Sequence, residues 1–241
     1  TAYEIPLRLV GSEMCIRDSL EPEPTSVISS VNFYSDETQL MQGVFNMYDG
    51  LQGMNDTSSR SNHATQIEFY VTEMRSDNTR SKSGEGEAAQ FDNFAVEATN
   101  GLIADHYRSF YNVIFRANTV LENIGVASES NKAKIEGEAK FVRAYVYFNL
   151  VRLYGAFPLI DNVVSVGEDA SYIRRSVEDV YELIVSDLNS AVAGLDNFNG
   201  KNRATKSAAQ GLLAKVHLTL GNYLEAQQLL ESVMSEGFIL E

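Results

Sequence analysis

The sequence predicts a mainly α-helical protein, and two observations indicate this class. From Ala98 onward, apolar residues recur every three or four positions almost to the end of the chain, which is the spacing of one face of an α-helix. These stretches are bounded by residues that start helices, such as Ser176, and by glycines that end them, such as Gly155 and Gly221.

The segment before Ala98 is predicted to contain one helix, one strand and one loop. The helix follows Asp36, with Gln39 three residues later as in a capping box. Its apolar stripe consists of Leu40, Val44, Met47, Tyr48 and Leu51. Partial alternation predicts a short strand in TQIEFYVTEM, residues 65–74. RSDNTRSKSGEGEAAQ, residues 75–90, reads as a long polar loop, and such loops inside a compact domain are often functional.

Five helices are predicted after this loop, over residues 107–124, 131–154, 176–195, 205–220 and 222–236. The second is apolar around most of its circumference, so we expect neighbours to bury it. Its two arginines, Arg143 and Arg152, are expected to pair with carboxylates such as Glu138 or Asp187, because an unpaired buried charge is costly.

The last two predicted helices fit the tetratricopeptide pattern of a helical hairpin. In the window 207–240, Leu213 and Ala214 occupy the Leu-Gly positions, Gly221 makes the turn, and Ala226 is the small residue at the helix crossing. A packed antiparallel helix pair explains the pattern equally well. In either case the hairpin needs neighbours, so a stack of antiparallel hairpins is predicted.

Charge and motifs exclude several functions. The net charge of −14 argues against a nucleic-acid partner and against attraction to anionic lipid. The three histidines lie far apart without ligand spacing, which predicts no metal site. Gly84-x-Gly86 lacks the strand-turn-helix context of a dinucleotide-binding fingerprint. Glu73 and Asp77 have the residue types of a glycosidase acid/base pair, but such pairs are common in a chain with 33 acidic residues, so the evidence for catalysis is weak. We therefore expect no catalytic residue, no cofactor and no enzyme activity.

Three segments in order resemble one family. They are FYVTEMRSDNTR, YRSFYNVIFRANTVLENI and GEAKFVRAYVYFNLVRLYGAFPLI. The third is the most specific, with Glu138-Ala139, Arg143-Ala144 and Tyr154-Gly155 ahead of Pro158. From about Leu20 to its end, the chain resembles the SusD/RagB-like nutrient-binding lipoproteins.

The resemblance implies a fold, a location and partners. Members of the family lie on the outer face of the outer membrane, anchored by a lipidated N-terminal cysteine, and pass glycans or peptides to a SusC-like TonB-dependent transporter. Their fold is mainly helical, with tetratricopeptide-like hairpins, and they are about twice as long as this chain. The resemblance thus implies the N-terminal half of a non-enzymatic binding protein, truncated before its second half. The alternative function is a tetratricopeptide scaffold that binds only a protein partner.

Residues 1–19 are expected to be foreign to the domain. The segment LVGSEMCIRDS, residues 9–19, contains Cys15, the only cysteine of the chain. Three interpretations of Cys15 are open: a reactive thiol, a lipid attachment site, or a residue without a function. Met14 is too large for the residue before a lipidated cysteine, and the string resembles a translated sequencing adaptor. We therefore expect residues 1–19 to be an artefact without order, and residues 20–241 to form an incomplete SusD-like domain whose anchor has been lost.

The ligand site is predicted on segment 66–94, which supplies ligand contacts in the family. Arg75, Asp77, Asn78 and Arg80 are candidates for polar contacts. The chain has no tryptophan, so Phe91 and Phe94 are the nearest candidates for an aromatic platform under a sugar ring. This departure from the family pattern leaves oligosaccharides and oligopeptides open as ligands. Asp77 and Asn78 are equally typical of a turn.

Overall fold

The computed structural model describes residues 33–52, 64–82, 84–164, 172–197 and 202–238. Residues 1–19, which the sequence predicts to be disordered, lie outside these ranges. The described α-helices are α1 (Glu37–Gly50), α2 (Ala64–Thr72), α3 (Ala89–Asp92), α4 (Gly101–Glu122), α5 (Glu129–Tyr154), α6 (Val177–Gly194), α7 (Lys206–Leu220) and α8 (Tyr223–Ser235). Two-residue strands β1 (Phe157–Pro158) and β2 (Arg174–Arg175) pair antiparallel. The predicted mainly helical class is confirmed.

Side chains cap the helices at several predicted starts. Asp36 accepts a hydrogen bond from the backbone of Gln39 at the start of α1. Ser176 and Asp179 form a reciprocal capping box at the start of α6. Helix α4 begins six residues before the predicted start, because Asn100 accepts hydrogen bonds from the backbone N–H groups of Leu102 and Ile103.

The strand predicted for residues 65–74 is wrong, since α2 and a 3₁₀ turn, Glu73–Arg75, occupy this segment. Ile67, Val71 and Met74 are buried in one cluster, and their spacing of four and three residues is that of a helix face. Phe69, which completes the apparent alternation, is exposed. The β-branched and aromatic content favoured a strand, but burial follows the helical spacing.

Consecutive helices pack against each other from α4 to α8, and α1 packs on α4. Helix α5 is buried on several sides, as predicted, and its fully buried side chains include Val142, Tyr147 and Leu150. Helix α6 approaches α5 closely at its C-terminal end. A β-carbon at Gly194 would overlap the carbonyl oxygen of Ala133, so this crossing requires glycine.

A buried arginine joins three helices. Arg143 on α5 donates to both carboxylate oxygens of Asp187 on α6, at 2.8 and 2.9 Å. It also donates to the side-chain oxygen of Asn118 on α4, at 2.8 Å, and to the carbonyl of Asp161. The predicted pairing of Arg143 with a carboxylate is confirmed. Arg152 instead donates to the side-chain oxygen of Asn149 and lies 4.4 Å from the ring centre of Phe148.

A second ion pair, with a buried carboxylate and a partly exposed arginine, connects α1 and α5 to the residues just before α7. Glu138 on α5 has no exposed surface and accepts from the Arg203 guanidinium, with Nε 2.9 Å from Oε2. The Tyr48 hydroxyl on α1 donates to the same oxygen at 2.9 Å and accepts from the backbone N–H of Ala204 at 3.0 Å. One carboxylate thereby holds together segments that lie far apart in the chain.

The last hairpin has a buried crossing and an exposed outer face. Ala226 is buried, as expected of the small residue at the crossing of α7 and α8. The large apolar side chains exposed here are Leu218, Leu220, Tyr223, Leu224, Leu230, Met234 and Phe238.

In the part of the chain that the structure describes, no helix combines the length and apolar character needed to cross a membrane.

Candidate functional site

A cleft of about 530 Å³ lies where α2, α3, the start of α4 and the end of α5 meet. Its lining residues are Val71, Arg75, Phe91, Phe94, Val96, Glu97, Ala98, Ile103, Leu153 and Tyr154. Three of the six predicted site residues, Arg75, Phe91 and Phe94, are therefore brought together here. A concave, mainly apolar surface with a few polar groups is the usual form of a small-ligand site.

The two phenylalanines have different environments. Phe91 is buried and packs with Ile67, Val71 and Met74, so it belongs to the core beneath the cleft. Phe94 is 69% exposed at the cleft. Of the two rings, only that of Phe94 offers a free face to a ligand.

Phe94 adopts a backbone conformation that phenylalanine rarely adopts. Its φ is +54°, and among the described residues it is the only non-glycine residue with positive φ. The conformation ends α3, because it lets the backbone N–H of Ala95 donate to the carbonyl of Gln90 at 2.9 Å. Glycine is the usual residue at this position of a helix end. Strained residues concentrate at functional sites, so the exposed ring in a position suited to glycine indicates a binding role.

A network of side-chain hydrogen bonds fixes the loop that carries Phe94. The Asn100 amide donates to the carbonyl of Glu87 at 3.0 Å and to the Gln90 side chain at 2.7 Å. The Gln90 side-chain oxygen also accepts from the backbone N–H of Glu97, and the Glu87 carboxylate accepts from that of Gly101. This part of the predicted polar loop is therefore an ordered wall. Asn100 was not among the predicted site residues; its signal in the sequence is an asparagine ahead of an apolar helical stretch.

Arg75 supplies the unpaired cation of the cleft. It lies at the end of the 3₁₀ turn and is exposed. Within the described ranges its guanidinium has no hydrogen-bond or ion-pair partner. Its N–H donors are therefore available to hydroxyl or carboxylate oxygens of a ligand.

Asp77, Asn78 and Arg80 are exposed and do not line the cleft. Asp77 and Asn78 occupy a turn in which the Ser76 hydroxyl accepts from the backbone N–H of Asn78 at 3.3 Å. This arrangement matches the turn role that the sequence left open for Asp77 and Asn78. Their contribution to ligand binding, and that of Arg80, remains a prediction.

Tyr154 forms the inner wall of the cleft and is held from behind by a histidine. The His106 ring has no exposed surface, and its Nδ1 lies 3.0 Å from the Tyr154 hydroxyl. Burial lowers the pKa of His106 to about 4, and burial raises the pKa of Tyr154 above its ordinary value. Both groups are therefore neutral at pH 7. The sequence assigned Tyr154 only to the end of a helix, and no local pattern indicated its place in a cleft.

The stability of the fold should depend on pH through His106. The unfolded chain takes up a proton on this residue near pH 6.5, whereas the folded chain does so only near pH 4. The contribution of neutral, buried His106 to the free energy of unfolding is complete above pH 6.5 and is lost as the pH falls toward 4. We expect the free energy of unfolding to fall by about 2–3 kcal/mol from this group between pH 7 and pH 4.5.

Urea titrations at these two pH values of wild type and His106→Gln measure this effect. The glutamine variant should lose about 2–3 kcal/mol less than wild type, since its side chain does not titrate. The other two histidines are present in both proteins and cancel in the comparison. Equal losses in the two proteins would show that His106 is not held neutral by burial.

The arrangement favours binding over chemistry. An apolar floor, one exposed aromatic ring and one unpaired guanidinium suit a polyhydroxylated ligand, which has apolar faces and many hydroxyl groups. Among the described residues, no group of three His, Cys, Asp or Glu side chains is placed to hold a metal ion. The fold is therefore that of a helical-hairpin protein, and its cleft has the size and lining that are usual for a small-ligand site.

The chain belongs to the SusD-like family. The model of this family, described as "Starch-binding associating with outer membrane", matches residues 20–218. A SusD-like protein of Bacteroides ovatus is 38% identical over 135 residues, which are 54% of this chain and 24% of the relative. The resemblance noted in the sequence is thereby confirmed.

Solved structures share the fold. A SusD-like protein of Bacteroides fragilis has a TM-score of 0.74 at 27% identity, covering 92% of this chain and 41% of that chain. A laminarin-binding SusD-like protein has a TM-score of 0.68 at 27% identity, covering 82% of this chain and 43% of that chain. The chain spans less than half the length of the curated relatives that it matches.

Proposed function

We propose that the chain is part of a non-enzymatic nutrient-binding protein that holds glycans at the outer face of the outer membrane. In this role it delivers them to a SusC-like TonB-dependent transporter and is anchored as a lipoprotein. The observation that carries the proposal is Phe94, an exposed ring in a left-handed backbone conformation. It lines the same cleft as Arg75, whose guanidinium has no hydrogen-bond or ion-pair partner in the described part of the chain. Membership of a family described as starch-binding supports glycans over peptides.

The ring of Phe94 acts as the platform for one sugar ring. Apolar C–H groups on one face of a sugar pack on an aromatic face, and the hydroxyl groups at the sugar's edge accept hydrogen bonds from Arg75. The apolar side chains that line the cleft around Phe94 add surface against which the sugar's C–H groups can pack.

Replacing Phe94 with glycine separates a binding role from a structural one. Glycine adopts positive φ without strain, and the ring removed is mostly exposed, so the free energy of unfolding should change by less than about 1 kcal/mol. Affinity for the glycan should fall about tenfold or more, because the stacking surface is lost. Calorimetric titration with laminarin-derived and starch-derived oligosaccharides, and with an oligopeptide mixture, measures the affinity.

Matched variants complete this experiment. Phe115→Ala removes a comparably exposed ring from α4 outside the cleft and should leave affinity unchanged. Arg75→Ala should weaken binding, whereas Arg174→Ala should not, because of these two exposed arginines only Arg75 lines the cleft. Undiminished binding by both Phe94→Gly and Arg75→Ala would refute the site, and binding of the peptide mixture alone would refute the ligand class.

A second candidate function is a tetratricopeptide-like scaffold that binds a protein partner and no small ligand. The exposed leucines, tyrosine and methionine on α7 and α8 favour it, since several large apolar side chains exposed on one hairpin are typical of interaction sites. This candidate requires that none of the oligosaccharides binds. Wild-type binding that Phe94→Gly abolishes would therefore exclude it.

A further inference from the structure

A second cleft of about 500 Å³ adjoins the first. Ala98, Ile103 and Tyr154 line both, so the two are separated only by a shared wall. The far side of the second cleft is formed by one face of α4, which carries Tyr107, Arg108 and Tyr111. Nothing in the sequence had indicated that this helix face borders a site.

The aromatic side of the second cleft is fixed in place. Tyr107 donates its hydroxyl proton to the Tyr111 oxygen at 3.1 Å, and Tyr111 donates to the carbonyl of Pro158. The ring of Tyr107 also packs edge-on against Tyr154, with ring centres 5.3 Å apart. Both tyrosine rings remain partly exposed. The cleft therefore presents preordered aromatic surface, which binds a ligand at low entropic cost.

Arg108 supplies hydrogen-bond donors to this cleft. Its side chain is 61% exposed and makes one long contact, 3.4 Å, with the Asp105 carboxylate, a surface pair of small energetic value. Its other N–H groups have no partner among the described residues. Asn100 also lines the cleft, but its amide is already occupied by Glu87, Gln90 and the start of α4. Arg108 is thus the side chain available for polar recognition.

We infer that this second cleft is a further sugar-binding subsite, and that the chain binds linked sugars that extend across the Tyr154 wall into both clefts. The inference rests on the proposed function and adds a minimum length to the ligand. Each cleft has the volume of a small-ligand site and combines aromatic surface with one available arginine. Binding in the second cleft becomes intramolecular once the first is occupied, so affinity should rise steeply with ligand length.

Affinity measured against ligand length tests the inference. Laminari- and malto-oligosaccharides of two and six glucose units are titrated into wild type, Arg108→Ala, Tyr107→Ala and Phe94→Gly. The wild type should bind the hexasaccharide of the preferred series at least about tenfold more tightly than the disaccharide. Arg108→Ala should remove most of this difference and leave disaccharide affinity unchanged, because Arg108 lines only the second cleft. Tyr107→Ala should also remove most of the difference. Phe94→Gly should weaken both lengths.

The outcomes separate the two proposals. Arg108 is exposed, so its alanine variant is expected to fold even if Tyr107→Ala does not, and Arg174→Ala serves as the matched arginine control. If Phe94→Gly weakens both ligands but Arg108→Ala binds the hexasaccharide like wild type, the second subsite is refuted and the first stands. If wild type binds neither series, or Phe94→Gly binds both normally, the proposed function and the subsite are refuted together.

Discussion

Replacing Arg143 with methionine is expected to lower the free energy of unfolding by about 3–5 kcal/mol, because it leaves the buried Asp187 carboxylate without its partner. Burial already raises the pKa of Asp187 above its ordinary value, and the two Arg143 hydrogen bonds oppose that rise. Without them, Asp187 must become protonated or remain as an unpaired charge in the core. Either outcome destabilises the fold.

A double variant distinguishes the free energy lost with the ion pair from the cost of burying a lone charge. In Arg143→Met/Asp187→Leu both charges are absent, so the loss should be clearly smaller than in the single variant. As a surface control, Lys132→Met breaks an exposed pair with Glu129 and should change stability by less than about 1 kcal/mol. Guanidinium titrations measure all three. A single variant as stable as wild type would contradict the assignment of a structural buried pair.

The second large effect is expected at Arg203, whose replacement by methionine should cost about 3 kcal/mol or more. Glu138 is fully buried, and among the described residues it would keep only the Tyr48 hydroxyl as a hydrogen-bond partner. The connection from α1 to the start of α7 would weaken with it, because Tyr48 also accepts from the backbone of Ala204. Loss of this connection is expected to appear as faster amide exchange around residue 204.

Two companion variants define the expected order of losses. Tyr48→Phe removes the hydrogen bonds that the hydroxyl makes with the Glu138 carboxylate and with the backbone N–H of Ala204, for a loss of about 1–3 kcal/mol. Arg203→Met/Glu138→Gln removes both charges and should recover part of the Arg203→Met loss. Thermal and urea unfolding provide the measurements. If Tyr48→Phe destabilised more than Arg203→Met, the ion pair would not be the dominant contact of this cluster.

Most of the helices were predictable from the sequence, for a local physical reason. Apolar spacing and capping residues such as Ser176 act within one turn of a helix, so they are visible in a short window. The same locality explains the error in α2. Its nine residues satisfy a partial alternation and a helical spacing at once, and only the surrounding packing decides which residues are buried.

The sequence predicted that buried arginines pair with carboxylates, but it identified the partner residues only in part. An arginine inside an apolar helix requires a carboxylate, which correctly indicated Asp187 for Arg143. Glu138 instead pairs with Arg203, 65 residues away. No local pattern relates residues at that separation, because the distance is set by the stacking of α1, α5 and α7.

The sequence predicted which segment contributes to the candidate site, but it did not predict which residues line the cleft. Segment 66–94 does contribute Arg75 and Phe94 to the cleft. However, the exposure of Phe94 depends on a backbone conformation that the sequence would assign to glycine. The other wall comes from Ile103, Leu153 and Tyr154, which occupy helix stripes where core packing is the ordinary expectation.

The most direct test of the binding cleft is a crystal structure of the chain with the hexasaccharide that binds best. We expect electron density for a sugar ring stacked on Phe94, with a hydroxyl group within hydrogen-bond distance of the Arg75 guanidinium. Density for the oligosaccharide elsewhere on the chain, with the Phe94 cleft empty, would contradict it.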